Sequence, residues 1–269
     1  MTNYILIDGS YYIFYKYYAL HAWWKLAKAD ESLEIPYENK DFVEKYKKTF
    51  VDKIKQISKK LKIKDAKIYV GKDCSKKDIW RTKFMEDYKL HRINNEKLNT
   101  KLPDKNFFKM AYDTLYSEAG AEKILYCDEL EADDCIAITT KHIIEKEKDS
   151  KVWIIANDMD YLQLVNERIS LYNMQFKCIS TSKQSTGDAK KDLFCKIVLG
   201  DKSDYISGVF PKCSKMKALK YYDDREMFEK ELNKNDKFVE LYNRNNKIID
   251  FNEIPQELVD KFLKTSLMV

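Results

Sequence analysis

The chain has 269 residues, with 49 Lys+Arg against 44 Asp+Glu, a formal charge of +5, and only 6 Gly, 4 Pro and 6 Cys. That length is enough for one substantial core. No apolar run is long enough to span a bilayer, and so little Gly and Pro argues against flexible linkers. The mildly basic balance permits a nucleic-acid partner without requiring one. Six scattered cysteines without a C-x-x-C pair suit a reducing compartment and argue against a zinc site. The N-terminus opens on a strand pattern rather than a leader, so an intracellular protein, cytoplasmic or nuclear, is expected. The Lys, Asn and Tyr bias is that of an AT-rich genome, a viral one included.

In chain order, Tyr4 to Ile7 is a short apolar run ending in Asp8-Gly9. The aromatic-rich stretch Tyr11, Tyr12, Tyr15, Tyr17, Tyr18, Trp23 and Trp24 follows and is expected to be mostly core, a minority facing a partner. Phe42, Tyr46, Phe50, Ile54, Ile57 and Leu61 recur every three or four residues, predicting a helix with a buried stripe and a Lys-rich outer face. Lys67 to Val70 is a second apolar run, ending near Asp73.

From Lys76 to Lys109 the basic residues Lys76, Lys77, Arg81, Lys83, Lys89 and Arg92 are interrupted by Trp80, Phe84, Tyr88 and Phe107. Taken alone, such a run is a solvated helix face. Asn94 to Asp104, poor in apolar residues, is expected to be mobile. The run ELEADD, Glu129 to Asp134, opens a helical pattern through Ile136, Ala137, Thr140 and Ile143. Glu131, Asp133 and Asp134 thus fall in a first turn, where free N–H groups and the helix dipole favour negative charge. Val152 to Ala156 is a third apolar run, ending near Asp158 and Asp160. Asp201 and Asp204 are three apart and share a face if their turn is helical.

Short apolar runs alternating with helical patterns predict an α/β fold with a central, mostly parallel sheet flanked by helices. Ligands of such sheets bind beyond the carboxyl ends of the strands, which is where these acids fall. Any one of them is equally a helix cap or a turn residue. Together they are harder to explain that way, because like charges about 4 Å apart repel by roughly 4 kcal/mol at an effective dielectric of 20. Oxygen-seeking divalent cations that also engage phosphates would relieve the repulsion, so a metal-dependent phosphodiesterase is expected.

The ordered series IDGS, YVGKD, IWRTKFMEDYKLHR, EADD, NDMDYLQLV and GDKSDYISGV resembles the flap endonuclease and 5′-nuclease family. Its bacterial and bacteriophage branch, which includes the 5′-nuclease domain of DNA polymerase I, is the most similar, over roughly residues 4 to 222. The resemblance implies two Mg²⁺ ions, replaceable by Mn²⁺. Asp8, Asp73, Glu131, Asp133 and Asp134 match the acids of the first site, and Asp158, Asp160, Asp201 and Asp204 those of the second; Glu129 is a weaker candidate. One ion would lower the pKa of the attacking water and the other steady the leaving oxygen, about 4 Å away, leaving a 5′-phosphate product.

By the same resemblance, Arg81, Tyr88, Lys89 and Arg92 match the signature of a helical arch, about residues 76 to 109, that admits single-stranded 5′ ends. Lys89 would contact the scissile phosphate, and Arg81 and Arg92 would bind phosphates, with Lys83 as a further contact. Tyr88 either stacks on a base or braces the arch against the core. Gly208, Lys215 and Lys217 match a helix-turn-helix-like unit that binds duplex and often a monovalent cation. Pro211, Lys212 and Cys213 replace its usual GxG, and Pro offers no amide donor, which puts duplex and potassium binding through that hairpin in doubt. Tyr15 stands where the family commonly has Arg, and Lys16 is the substitute.

The expectation is therefore a monomeric, structure-dependent 5′-nuclease acting on DNA with a 5′ single-stranded end or flap, or on an RNA/DNA hybrid. Residues 1–200 would form a PIN-like core and 201–269 a helical duplex-binding region packed on it. Gln256, Val259, Phe262 and Leu263 resemble a sliding-clamp-binding peptide but equally make an ordinary amphipathic helix. The rivals are a PIN-type ribonuclease and a non-catalytic DNA-binding protein on a nuclease fold.

Overall fold

The computed structural model describes residues 2–31, 33–89 and 102–267. Five strands, β1 (Asn3–Asp8), β2 (Ala66–Gly71), β3 (Ala121–Leu125), β4 (Lys151–Ile155) and β5 (Ile169–Tyr172), form one sheet in the order β3-β2-β1-β4-β5. Every pairing is parallel. Parallel neighbours need long crossovers, and helices on both faces supply them. Tyr4 to Ile7 in central β1 are accordingly all buried, whichever face they point to.

On one face lie α1 (Gly9–Ala27), α2 (Lys40–Leu61) and α3 (Lys105–Met110, prolonged by a π turn over Ala111–Leu115 and a last turn at Tyr116–Glu118). Ile5, Ile7 and Val70 of the sheet pack there against Tyr12, Phe50, Phe107 and Tyr116. The predicted stripe of α2 is buried from Phe42 to Ile57. α4 (Ala132–Lys146) covers the other face, where Leu6, Val152 and Ile154 meet Ile136 and Ala137.

Beyond β5 the chain turns helical in α5 (Ala189–Leu199), α6 (Lys215–Asp223), α7 (Arg225–Leu232), α8 (Asp236–Ile249) and α9 (Gln256–Phe262). Phe194, Val198, Phe210, Tyr221 and Phe228 give these helices an apolar cluster of their own. Ile248 and Ile249, at the end of α8, pack instead with Ile79 and Tyr88, tying the helical region to the base of the expected arch.

The three predicted strands are present to within a residue or two. β3 and β5, the sheet edges, are additional. Their half-exposed patterns carry too few consecutive apolar residues to stand out. Of the residues that resemble a clamp-binding peptide, Phe262 is fully buried in the main core beside Leu258, the arrangement of an ordinary amphipathic helix. Among the described residues no helix is long and apolar enough to cross a membrane. None of the six cysteines forms a disulfide.

Candidate active site

β1 is flanked by β2 on one side and β4 on the other, so the crossovers leave it in opposite directions. That switch point opens a crevice at the carboxyl end of the sheet. Asp8, the last residue of β1, stands in it and caps α1, one carboxylate oxygen accepting from Tyr11 N at 2.9 Å and the other from the Tyr161 hydroxyl at 3.3 Å. Gly9 lets the strand ends close up: a Cβ there would lie 2.5 Å from the Gly71 carbonyl oxygen.

Asp73, just past β2, accepts from Ser10 Oγ at 2.5 Å and from the backbone N–H of Ala132 at 2.9 Å. It thereby joins the N-termini of α1 and α4. Glu131 caps α4, and Asp134 at the third position returns a bond to the Glu131 N–H at 3.1 Å, a reciprocal capping box. One ligand atom each from Glu131, Asp133 and Asp134 falls within 4.8 Å of the others. Asp158 and Asp160 follow β4, and Asp201 follows α5.

Asp8, Asp73, Glu131, Asp133, Asp158 and Asp201 line one open cleft together with Ser10, Phe14 and Lys196. Its electrostatics are those of crowded carboxylates. Burial, and then the Asp73 charge, push Asp8 up to about 7. Burial does the same to Asp160, to about 6, with Asp158 adding to it. Burial also raises Asp133 well above the ordinary range, reinforced by Asp134 and Glu131. Neighbouring cations outweigh burial at two positions: Lys89 and Arg81 hold Glu131 low, and Lys196 holds Asp201 down at about 2; at Asp160 burial prevails although Lys196 touches it.

Two lysines stand among these acids. Lys89 Nζ is 2.8 Å from Glu131 Oε1 and 3.6 Å from Asp204 Oδ2. Lys196 Nζ touches Asp160 and lies 2.8 Å from Asp201 Oδ2. Crowded acids whose charge is resisted are the kind of oxygen-rich setting that a hard divalent ion would relieve. The donor set fits such ions: Asp8, Asp73 and Asp133 carry no ion pair with any described cation, and all three line the cleft. Asp134 differs. It is fully buried and accepts from Arg81 at 2.7 and 2.8 Å and from Trp80 Nε1 at 3.0 Å.

Several expectations are corrected by this geometry. Arg81 is 2 % exposed, its guanidinium held by Asp134, Glu131 and the Ile248 carbonyl, so it meets no phosphate. Lys16 is buried between α1 and α2, where burial and neighbouring Lys53 lower it to about 8. It does not replace an arginine at the cleft. Tyr88 is buried with its hydroxyl on Glu131 at 3.0 Å, which is the bracing arrangement rather than a stacking one. Asp201 and Asp204 share a short helical turn, yet they engage different lysines.

The remaining predicted residues lie elsewhere. Lys83 is solvated and paired with Glu129 at 2.6 Å. Gly208 packs under the Leu199 carbonyl, Lys215 donates to the Gln184 carbonyl, and Lys217 is exposed at the start of α6. Lys212 adopts a left-handed φ of 52° without glycine. Arg92 and most of Asn94 to Asp104 fall outside the described residues. Ser10, Trp80, Tyr161 and Lys196 were missed by the sequence reading. Lys196 had a signal, one helical turn before GDKSD, whereas the others touch the acids only through the tertiary fold.

A profile described as the 5′-3′ exonuclease N-terminal resolvase-like domain matches residues 3–202. The chain belongs to that family, the 5′-3′ exonucleases, hydrolases of the nucleic-acid backbone. A 5′-3′ exonuclease of Buchnera aphidicola subsp. Acyrthosiphon pisum is 30 % identical over 221 residues, 80 % of this chain and 68 % of the relative. Among solved structures, a bacteriophage T5 protein co-crystallised with metal ions superposes with a TM-score of 0.67 at 18 % identity, covering 97 % of both chains. The T5 flap endonuclease in a pseudo-enzyme–product complex with DNA and metal ions gives 0.66 at 16 % identity, over 98 % of this chain and 97 % of that one. T5 5′-exonuclease with bound zinc also gives 0.66, at 19 % identity with the same coverage.

Proposed function

We propose that this 5′-3′ exonuclease is a structure-dependent nuclease that uses two Mg²⁺ ions, replaceable by Mn²⁺, to hydrolyse phosphodiesters near single-strand to duplex junctions. The observation that carries the reading is the convergence of Asp8, Asp73, Glu131, Asp133, Asp158 and Asp201 from five separate segments onto one cleft, with Asp160 tied to it through Lys196 and Lys89 paired to Glu131. Bound there, divalent ions would lower the pKa of the attacking water and stabilise charge on the leaving oxygen. Asp8, Asp73, Glu131 and Asp133 would hold one ion, and Asp158, Asp160, Asp201 and Asp204 the other. Asp134 acts from behind by fixing Glu131 and the turn of Asp133.

Lys89 has the reach for the scissile phosphate. It stands at a left-handed φ of 55°, with its ammonium 2.8 Å from Oε1 of Glu131, which lines the cleft. Donation from it to a non-bridging oxygen would stabilise the charge that develops there. The substrate is DNA with a 5′ single-stranded end or flap, or an RNA-primed hybrid, taken by a monomer. Residues 1–200 form the catalytic core, and 201–269 supply duplex contacts, Lys217 among them. Six free thiols and this substrate fit an intracellular, reducing compartment.

The test is a 5′-labelled flap DNA, the matching RNA-primed duplex and a blunt duplex, each with Mg²⁺, Mn²⁺ or EDTA, with products sized on a gel. Metal-dependent cuts at the junction leaving 5′-phosphates are expected. Cuts confined to RNA would favour a ribonuclease. No cut on any substrate, with binding retained, would make the chain a non-catalytic binder.

A further inference from the structure

We infer that the Lys196 ammonium is a built-in counter-cation of the second acidic group, which a divalent ion must displace to enter. The inference rests on the metal-dependent reading above. Lys196 Nζ contacts Asp160 Oδ1, lies 2.8 Å from Asp201 Oδ2 and 4.0 Å from Asp158 Oδ1. Its side chain is only 16 % exposed. Phe194, Cys195, Ile197 and Val198 are buried around it, so α5 is held in the rotation that aims this one residue at the cleft. The helix end is equally fixed, because Asp201 and Ile206 exchange backbone hydrogen bonds at 2.8 Å just past Gly200.

The acidic cleft is therefore unequal in its two halves. Asp8, Asp73 and Asp133 have no ion-pair partner among the described residues, while Asp158, Asp160 and Asp201 share an ammonium. Of the first group only Glu131 is already paired, with Lys89 and Arg81, so a first divalent ion still meets three uncompensated carboxylates. A second meets carboxylates already neutralised in part, and an ammonium within a few ångströms repels it unless the lysine stem swings away. Lysine suits this, being a point charge on a flexible four-carbon stem. It keeps the acids from repelling one another in the metal-free protein, at the expense of affinity for the second ion.

Mn²⁺ binding to the full chain without nucleic acid, by calorimetry and by the electron paramagnetic resonance of free Mn²⁺ at pH 7.5, tests this directly. The wild type is expected to show two binding constants separated by at least tenfold. Lys196→Met should tighten the weaker one by roughly tenfold or more and leave the tighter one within about twofold. Lys196→Arg, which keeps the charge, should preserve the wild-type separation. Metal-free Lys196→Met should also melt at lower temperature than wild type, a loss opposite in sign to the affinity gain and unlike simple damage. Should that variant not fold, Lys196→Gln takes its place. A weaker constant unchanged or weakened further in the charge-removing variant overturns the inference. No Mn²⁺ bound by any of the proteins overturns the metal-dependent reading itself.

Discussion

Arg81 and Asp134 form a two-pronged ion pair, at 2.7 and 2.8 Å, in which neither side chain is more than 2 % exposed. It pins the short turn Trp80–Lys83 to the first turn of α4, and through Asp134 it orients Glu131. Removing one partner of a buried pair leaves the other charge stranded and typically costs about 3–5 kcal/mol. Arg81→Met is therefore expected to lower the unfolding free energy by about that amount in urea titration. A loss below about 1 kcal/mol would return Arg81 to the surface role that its place in the sequence suggests.

The two kinds of aspartate separate on substitution. Asp158→Asn, in the open cleft, is expected to reduce cleavage by at least about a hundredfold while the melting temperature in EDTA holds or rises. Asp134→Asn should lose activity together with stability, because it strands Arg81. Circular dichroism melts beside a flap-cleavage assay distinguish them, and equal destabilisation by both would refute the distinction.

Stability without metal has a defined pH dependence. The folded protein holds Asp8 at about 7 and Asp160 at about 6, both above the ordinary carboxylate value. Between pH 4 and pH 7 the folded state then binds more protons than the unfolded chain, so these groups favour folding below about pH 4 and lose that contribution as pH rises. In EDTA the melting temperature should fall from pH 5 to pH 7.5, and the gain on adding Mg²⁺ should grow over the same interval. A gain that shrinks with rising pH would contradict the electrostatic account.

Lys16 should behave as a buried cation rather than a DNA contact. Its pKa, lowered to about 8 by burial and Lys53, means that between pH 8 and pH 10.5 the unfolded chain binds more protons, so folding is favoured as pH rises there. Lys16→Met is expected to stabilise the protein at pH 7 by about 1–3 kcal/mol and to leave flap-DNA affinity within about twofold. A tenfold loss of affinity with unchanged stability would place the ammonium on a phosphate.

Lys89→Ala removes the ammonium paired with Glu131 beside the cleft. Single-turnover cleavage is expected to slow by roughly a hundredfold to a thousandfold, with the Kd for flap DNA changed by less than about threefold. The reverse pattern would make Lys89 a binding residue.

What the sequence disclosed follows from what each residue type has to do. Strand-end acids were legible because Asp8, Asp73 and Asp158 each close an apolar run, and a parallel sheet carries such ends to one edge. Glu131 to Asp134 were legible because caps and first turns have a local grammar. The partner of a buried charge is set by tertiary distance: Arg81 and Asp134 are 53 residues apart, and a basic, aromatic-rich segment reads alike whether its cations meet solvent or carboxylates. Lys16 misled for the same reason, since only the packing of α1 on α2 decides where its ammonium ends. The short edge strands β3 and β5 were hidden by half-exposure.

An all-parallel sheet also has a silent end. The turns that feed β2 and β3, at Asp65 and Gly120, sit at the edge opposite the acids, and both residues are exposed. Open space surrounds Gly120, and Asp65 holds a left-handed φ of 47°, so Asp65→Asn followed by a cysteine label at neighbouring Lys64 keeps the turn. A dye or surface tether placed there reports on this protein from the pole remote from catalysis, leaving the mouth of the cleft free to face its substrate.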